Sequence, residues 1–196
     1  MLAFFQRYPV SLWPIFVAMI ILLLVALGLD VRNALRLDLS IRFPDEAWRL
    51  IGAHWVHLGW YHGLLNGAGF LLLAWMQPKG HWLKWLVFYW ISSVLISVYL
   101  MNSDSVSSYV GASGVLHGLL ILAAFFSKWL EPWRRNLMMF AICAKLIWEQ
   151  TPWYSDASVG TFIGGHVATE AHFIGGVCGL MVILIYLVKT HIKSSD

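Results

Sequence analysis

Apolar residues run without an intervening charged side chain over 11–29, 50–78, 85–103, 105–127 and 171–188. At about 1.5 Å per residue each run is long enough to cross a hydrocarbon core about 30 Å thick, either outright or nearly so. A sixth stretch, 134–153, has the same character but is interrupted by Lys145 and Glu149. None of these runs alternates apolar with polar residues in short segments, so the pattern predicts helices and not a barrel. The expectation is an all-α membrane protein in one domain, 1–196, with six spans near 11–29, 52–76, 84–102, 113–130, 134–153 and 170–190. The first run carries Ala26 and Gly28, small residues of the kind found at signal-peptide cleavage sites. It is too long for such a leader and five more spans follow, so it is read as a span.

Composition supports this picture and narrows it. Hydrophobic residues make up 60% of the chain and charged residues only 12%, against about 25% charged in soluble domains. Arg7, Lys79, Lys84, Lys128, Arg134, Arg135, Lys189 and Lys193 fall on one side of the expected spans, and Asp104, Asp156 and Glu170 fall on the other. By the distribution of cations between spans, both termini are cytoplasmic. The net charge of +3 therefore reports topology and gives no reason to expect a nucleic acid. In the connection 30–49, Arg32, Arg36, Arg42 and Arg49 are balanced by Asp30, Asp38, Asp45 and Glu46, as in an ordered interfacial structure. Cys143 and Cys178 both fall inside spans, which leaves packing thiols and no disulfide framework or CxxC motif.

Polar residues inside spans cost free energy unless they are paired or hydrated, so each is a candidate for function. Here they are His62, Asn66, Ser113, His117, Lys145, Glu149 and His172. Ser113 lies 15 residues before Lys128, His172 lies 17 before Lys189, and His62 lies 17 before Lys79. Those separations correspond to roughly 23, 26 and 26 Å, which puts all three several Å below the outer surface of the core. Asn66 is one turn deeper on the face of His62. Glycines recur every fourth position beside these groups, at 59, 63 and 67, at 114 and 118, and at 175 and 179. Small residues at that spacing let helices approach closely in lipid.

A serine with a histidine as base can run acyl transfer near neutral pH. If Ser113 begins a helix, its hydroxyl is exposed and its amide is free to stabilise an oxyanion, with His62 and Asn66 as further donors. The simpler reading of Ser113 is a helix-capping residue after a glycine turn. His62 and Asn66 could likewise be helix-bridging groups. No acidic third member is evident at this depth, so a dyad is expected. Lys145 and Glu149 are four residues apart on one face; either they neutralise each other, or with Trp148 they contact a substrate. His117 is one turn below Ser113, and either packs beside His172 or competes with it as base. His166, Glu170 and His172 do not share a helix face and HExxH is absent, so no metal and no cofactor is expected. His54, His57 and His81 are read as interfacial or structural.

At these residues the chain resembles the rhomboid intramembrane serine proteases. The matching pieces are Trp48–Arg49, HGLLN at 62–66, GASG at 111–114 and AHFIGGVCG at 171–179, in the family's order. The resemblance implies a six-helix bundle with a water-filled site open to the extracytoplasmic side, Ser113 as nucleophile, His172 as base, and His62, Asn66 and the Ser113 amide as oxyanion hole. The position four after the serine is often tyrosine in familiar rhomboids and stacks on the catalytic histidine; here it is His117. The compact form, GASGVLHG and Trp148–Glu149 look most like the rhombosortase subgroup. That implies a multi-pass protein of the bacterial inner membrane acting on membrane proteins with a C-terminal Gly-Gly motif, a transmembrane helix and a basic tail. An accessory membrane protein stays open as a partner, as do a general rhomboid protease and a non-catalytic rhomboid-like binder of transmembrane helices.

Overall fold

The computed structural model describes residues 10–38, 44–78, 80, 82–103, 106–128 and 130–195. Arg7, Arg42, Lys79, His81 and Asp104 of the charge and histidine pattern lie outside the described residues. The chain forms α1 (Leu12–Ala26), α2 (Leu29–Leu35), β1 (Leu37–Asp38), α3 (Arg49–Gly52), α4 (Trp60–Met76), α5 (Trp82–Leu100), β2 (Ser108–Tyr109), α6 (Ser113–Phe126), α7 (Pro132–Trp148), α8 (Ala157–Ile163) and α9 (Thr169–Ser195).

Of these helices, α5 and α9 are each long and apolar enough to cross a membrane alone. The α1–α2 pair is so only as one span bent by 116°, with Gly28 supplying the left-handed turn at φ 88°. The apolar helix α6 is shorter, 14 residues or about 21 Å, because residues 106–112 of its run form β2 and the glycine turn before Ser113. The fourth helix starts at Trp60 and not at 52, since residues 53–59 turn inward to bury His54 and His57. The seventh ends at Trp148 and not at 153, leaving Glu149 as its C-cap.

Helix α6 is the centre of the molecule: Val115, Leu119, Ile121, Ala123 and Ala124 are all fully buried. It packs most extensively on α9, while α4 packs on α1. Glycines explain the first contact. A Cβ at Gly114 would lie 2.7 Å from the Ala171 carbonyl oxygen and one at Gly179 2.7 Å from that of Gly118, while Gly175 and Gly118 face the carbonyls of Gly114 and Gly175 still more closely. Gly63, by contrast, faces Val25 of α1 at 2.9 Å, so this glycine of the HGLLN segment serves α1 and not the polar centre.

The described parts of the connection between α1 and α4 are tied together through Arg49. Arg49 Nη1 donates to the carbonyls of Asn33 (2.8 Å) and Arg36 (2.9 Å), and its Nη2 pairs with Glu46 at 3.1 Å. This explains the Trp-Arg pair physically, since Trp48 Nε1 also donates to Ala34 O at 3.3 Å. The polar side of α5 holds the same region: Tyr89 Oη donates to His54 O at 2.9 Å and Ser97 Oγ to Leu50 O at 2.7 Å. The region in turn holds the glycine loop before α6. β1 pairs antiparallel with β2, Leu37 opposite Tyr109, and Gly111 N–H donates to Ala53 O at 2.9 Å.

Candidate active site

Gly111 adopts φ +123°, a conformation L side chains rarely take, and turns the chain into α6. Tyr109 Oη fixes the turn by donating to Gly111 O at 2.7 Å. Ser113 is thereby the first residue of α6, where its amide has no intrahelical acceptor. Its Oγ lies 2.9 Å from Nε2 of His172 on α9, and the glycine contact just below sets that spacing.

The two faces of the His172 ring edge are distinguishable. Nδ1 lies 3.0 Å from Oε2 of Glu149, whose side chain is only 4% exposed. An ionised carboxylate only accepts, so Nδ1 carries the proton and Nε2 offers its lone pair to the Ser113 hydroxyl. A buried carboxylate therefore stands beside His172, where the sequence showed no acidic group at this depth. Glu149 escaped the depth count because it caps a helix whose apolar run is broken. Its other oxygen accepts from Lys145 Nζ. The ion pair expected from their spacing is thus real, but it is only half of what Glu149 does.

His117 packs against His172, ring centroids 4.3 Å apart and planes 30° from parallel. Its Nδ1 donates to the Ser113 carbonyl at 2.6 Å, and its Nε2 accepts from Lys145 Nζ at 3.1 Å. Both nitrogens are committed away from the Ser113 hydroxyl, so of the two readings of His117 the structure supports packing beside His172. His117, Glu149 and His172 bring ligand-type atoms within 4.8 Å of one another, the geometry of a small metal cluster. The Lys145 ammonium bonds to two of the three, so the cluster already contains a cation.

His62 and Asn66 face the same cavity as Ser113 and His172, together with Lys145, Trp148 and Glu149; its volume is about 790 Å³. His62 Nδ1 accepts from the Leu58 amide at 3.4 Å, which leaves the proton on Nε2 as a donor. That nitrogen would lie 2.9 Å from a Cβ at Gly111, so the glycine also makes room for the His62 ring. Asn66 Nδ2 donates to His62 O at 3.0 Å, which uses one of its two hydrogens. His57, read from the sequence as interfacial or structural, is buried beside the site: it is 3% exposed, its ring sits 4.8 Å from that of His62, and its Nε2 accepts from Ala112 N–H at 3.4 Å. Only the inward turn of 53–59 places it there, and a single histidine in an apolar run carries no such signal. His54 is fully buried against Ser97 Oγ at 3.0 Å.

Among the described residues, His166, Glu170 and His172 engage different partners. His166 pairs with Asp156 at 3.2 Å and Glu170 accepts from Ser103 Oγ at 2.7 Å. Asp156 also accepts from Val167 N–H at 2.9 Å, and these contacts hold its carboxyl below the ordinary carboxylate value. They close the 149–168 segment, whose short α8 rests on α4 through Tyr61 and Phe162, ring centroids 4.6 Å apart, and lines one wall of the cavity. Cys143 and Cys178 are free thiols.

Apolar helices around a cavity that brings Ser113, His172, His62 and Asn66 together define an integral membrane protein with a serine–histidine centre. Residues 44–189 match the Rhomboid domain family, and the chain belongs to the rhomboid family. It is 32% identical over 171 residues to RHOMBOID-like protein 4 of Arabidopsis thaliana, covering 84% of this chain and 38% of that protein. Against RHOMBOID-like protein 1 of the same plant it is 30% identical over 169 residues, covering 84% of this chain and 40% of the relative. The chain thus spans about two-fifths of the length of these curated relatives.

Proposed function

We propose that this chain is an intramembrane serine endopeptidase. The observation that carries the reading is the 2.9 Å approach of Ser113 Oγ to His172 Nε2 inside a cavity that also holds His62 and Asn66. As the Oγ–carbon bond forms to a scissile carbonyl, the hydroxyl proton passes to His172 Nε2. The developing oxyanion accepts from His62 Nε2–H, the remaining Asn66 N–H and the Ser113 amide. His172 then returns the proton to the leaving nitrogen as the C–N bond breaks, and the acyl-enzyme is resolved by water or by an amine. A protein that only binds transmembrane helices would have no use for an aligned hydroxyl and imidazole.

Six helices, α1, α4, α5, α6, α7 and α9, are proposed to cross the membrane, the shorter ones completed by ordered loops. Both termini are placed in the cytoplasm and the cavity toward the outside, in keeping with Lys84, Lys128 and Lys189 at one end of the bundle. The narrower resemblance points to a bacterial inner membrane and to substrates ending in Gly-Gly, an apolar helix and a basic tail. Glycine suits the site physically, because a cleavable segment must leave its helix and each glycine weakens a helix by about 1 kcal/mol relative to alanine.

A reporter with that C-terminal architecture, reconstituted with the protein in vesicles, is expected to be cut beside the glycines. Changing Gly-Gly to Ala-Ala should slow cleavage about 10-fold or more, from the loss of two easily unwound residues, each worth about 1 kcal/mol. Equal cleavage of both reporters would overturn the Gly-Gly preference and leave a general rhomboid protease.

A further inference from the structure

The sequence offers Lys145 and Glu149 as a pair that cancels its own charge, but their surroundings are unequal. The Lys145 side chain is 47% exposed and could find solvent without help, whereas that of Glu149 is 4% exposed. A buried carboxylate is costly unless its charge is used. Its two oxygens go to different elements, Oε2 to His172 on α9 and Oε1 to Lys145 on its own helix.

From Ser113 the hydrogen bonds can be followed in sequence. Its hydroxyl donates to His172 Nε2, and His172 Nδ1–H donates to Glu149. Lys145 donates to Glu149 and to His117 Nε2, and His117 Nδ1–H donates to the carbonyl of Ser113. The circuit closes on the residue where it began. Every tautomer in it is fixed by an acceptor-only group: the Glu149 carboxylate for His172 and the Ser113 carbonyl for His117.

We infer that Glu149 is the third member of a Ser113–His172–Glu149 triad, a positioning residue that keeps His172 in the tautomer able to take the Ser113 proton, and that Lys145 and His117 form the arm that holds it. The inference rests on the endopeptidase reading above. In the step that forms the acyl-enzyme, the proton moves only between Ser113 and His172. Glu149 stays ionised and faces the imidazolium that forms. Lys145 keeps the resting carboxylate from being an uncompensated charge inside the bundle.

The arm makes an uncommon prediction for Glu149→Gln. Lys145 would hold the amide carbonyl, turning the amide NH2 toward His172 Nδ1. That forces the imidazole proton onto Nε2, where it faces the Ser113 hydroxyl without a lone pair to accept from it. The test follows covalent labelling of Ser113 by a fluorophosphonate probe in purified wild type, Glu149→Gln, Glu149→Asp and the double variant Lys145→Met/Glu149→Gln. The double variant removes both charges together, and so folds under the same net charge as wild type.

The maximal labelling rate is expected to fall about 10³- to 10⁴-fold in Glu149→Gln, the scale of an acid-to-amide change in a serine triad. The probe concentration giving half the maximal rate should stay the same. The double variant frees the amide to turn its carbonyl to His172 Nδ1–H, so it should label faster than Glu149→Gln but stay at least about 10-fold slower than wild type for want of the negative charge facing the imidazolium, and Glu149→Asp should recover part of the rate. If Lys145 and Glu149 only neutralise each other, the double variant labels like wild type, and that result overturns the triad. Equal rates in wild type and Glu149→Gln overturn it as well. Wild type that gains no adduct at Ser113 overturns the endopeptidase reading itself, and the triad with it, so the two failures are distinct.

Discussion

Replacing His172 with alanine is expected to abolish cleavage, while His117→Tyr should retain part of it. The two histidines stack 4.3 Å apart and both lie within reach of Ser113, so proximity does not separate them. Their nitrogens do. His172 presents Nε2 to the Ser113 hydroxyl, whereas His117 has both nitrogens engaged, by the Ser113 carbonyl and by Lys145. Loss of the base should lower the turnover number by about 10⁴-fold or more, as for the histidine of other serine triads. A tyrosine at 117 keeps an aromatic face for His172 and gives up the bonds to the Ser113 carbonyl and from Lys145, so a loss within about 30-fold is expected, the scale of two hydrogen bonds of about 1 kcal/mol each. Turnover of a reporter by equal amounts of folded protein checks both; activity that survives His172→Ala and vanishes in His117→Tyr would reverse the assignment.

The second large effect lies outside the polar groups. Gly175→Ala would set a methyl group against the Gly114 carbonyl, closer than real Cβ atoms come, and both neighbours are backbone that cannot turn aside. Helices α6 and α9 must then separate. Gly114 adjoins Ser113, and His172 is one turn before Gly175, so the displacement falls on the Ser113–His172 bond. Overpacking of this kind costs about 1–3 kcal/mol of stability, and a shift of about 1 Å at reacting groups costs about 100-fold in rate. A drop in melting temperature in detergent together with that loss of activity is expected. Gly67→Ala is the matched comparison, since its added methyl would meet only the Ala18 methyl at 3.9 Å, an ordinary contact. Equal behaviour of the two variants would remove the glycine contact from the explanation.

These examples show which parts of the molecule were legible beforehand. Counting residues to the flanking cations set Ser113, His172 and His62 at one depth, and depth is fixed by helix rise alone. The glycines at 114, 118, 175 and 179 announced a close contact, and there they found each other. The same spacing at 59, 63 and 67 carried no partner information, and Gly63 turned out to face Val25 of α1. Glu149 was assigned to its neighbour on the same helix because sequence reveals i,i+4 contacts and hides those across the bundle. His57 depended on a loop turning inward, and β1 and β2 are two residues each, too short to show alternation. What stayed hidden in each case was a tertiary contact made by a segment without a period of its own.

Whether Ser113 is the nucleophile is decided by the intact mass and peptide map of protein treated with a fluorophosphonate probe. Wild type should gain one probe mass on the peptide containing Ser113, and Ser113→Ala and His172→Ala none. An adduct on another residue, or one of equal yield in Ser113→Ala, would contradict a catalytic Ser113.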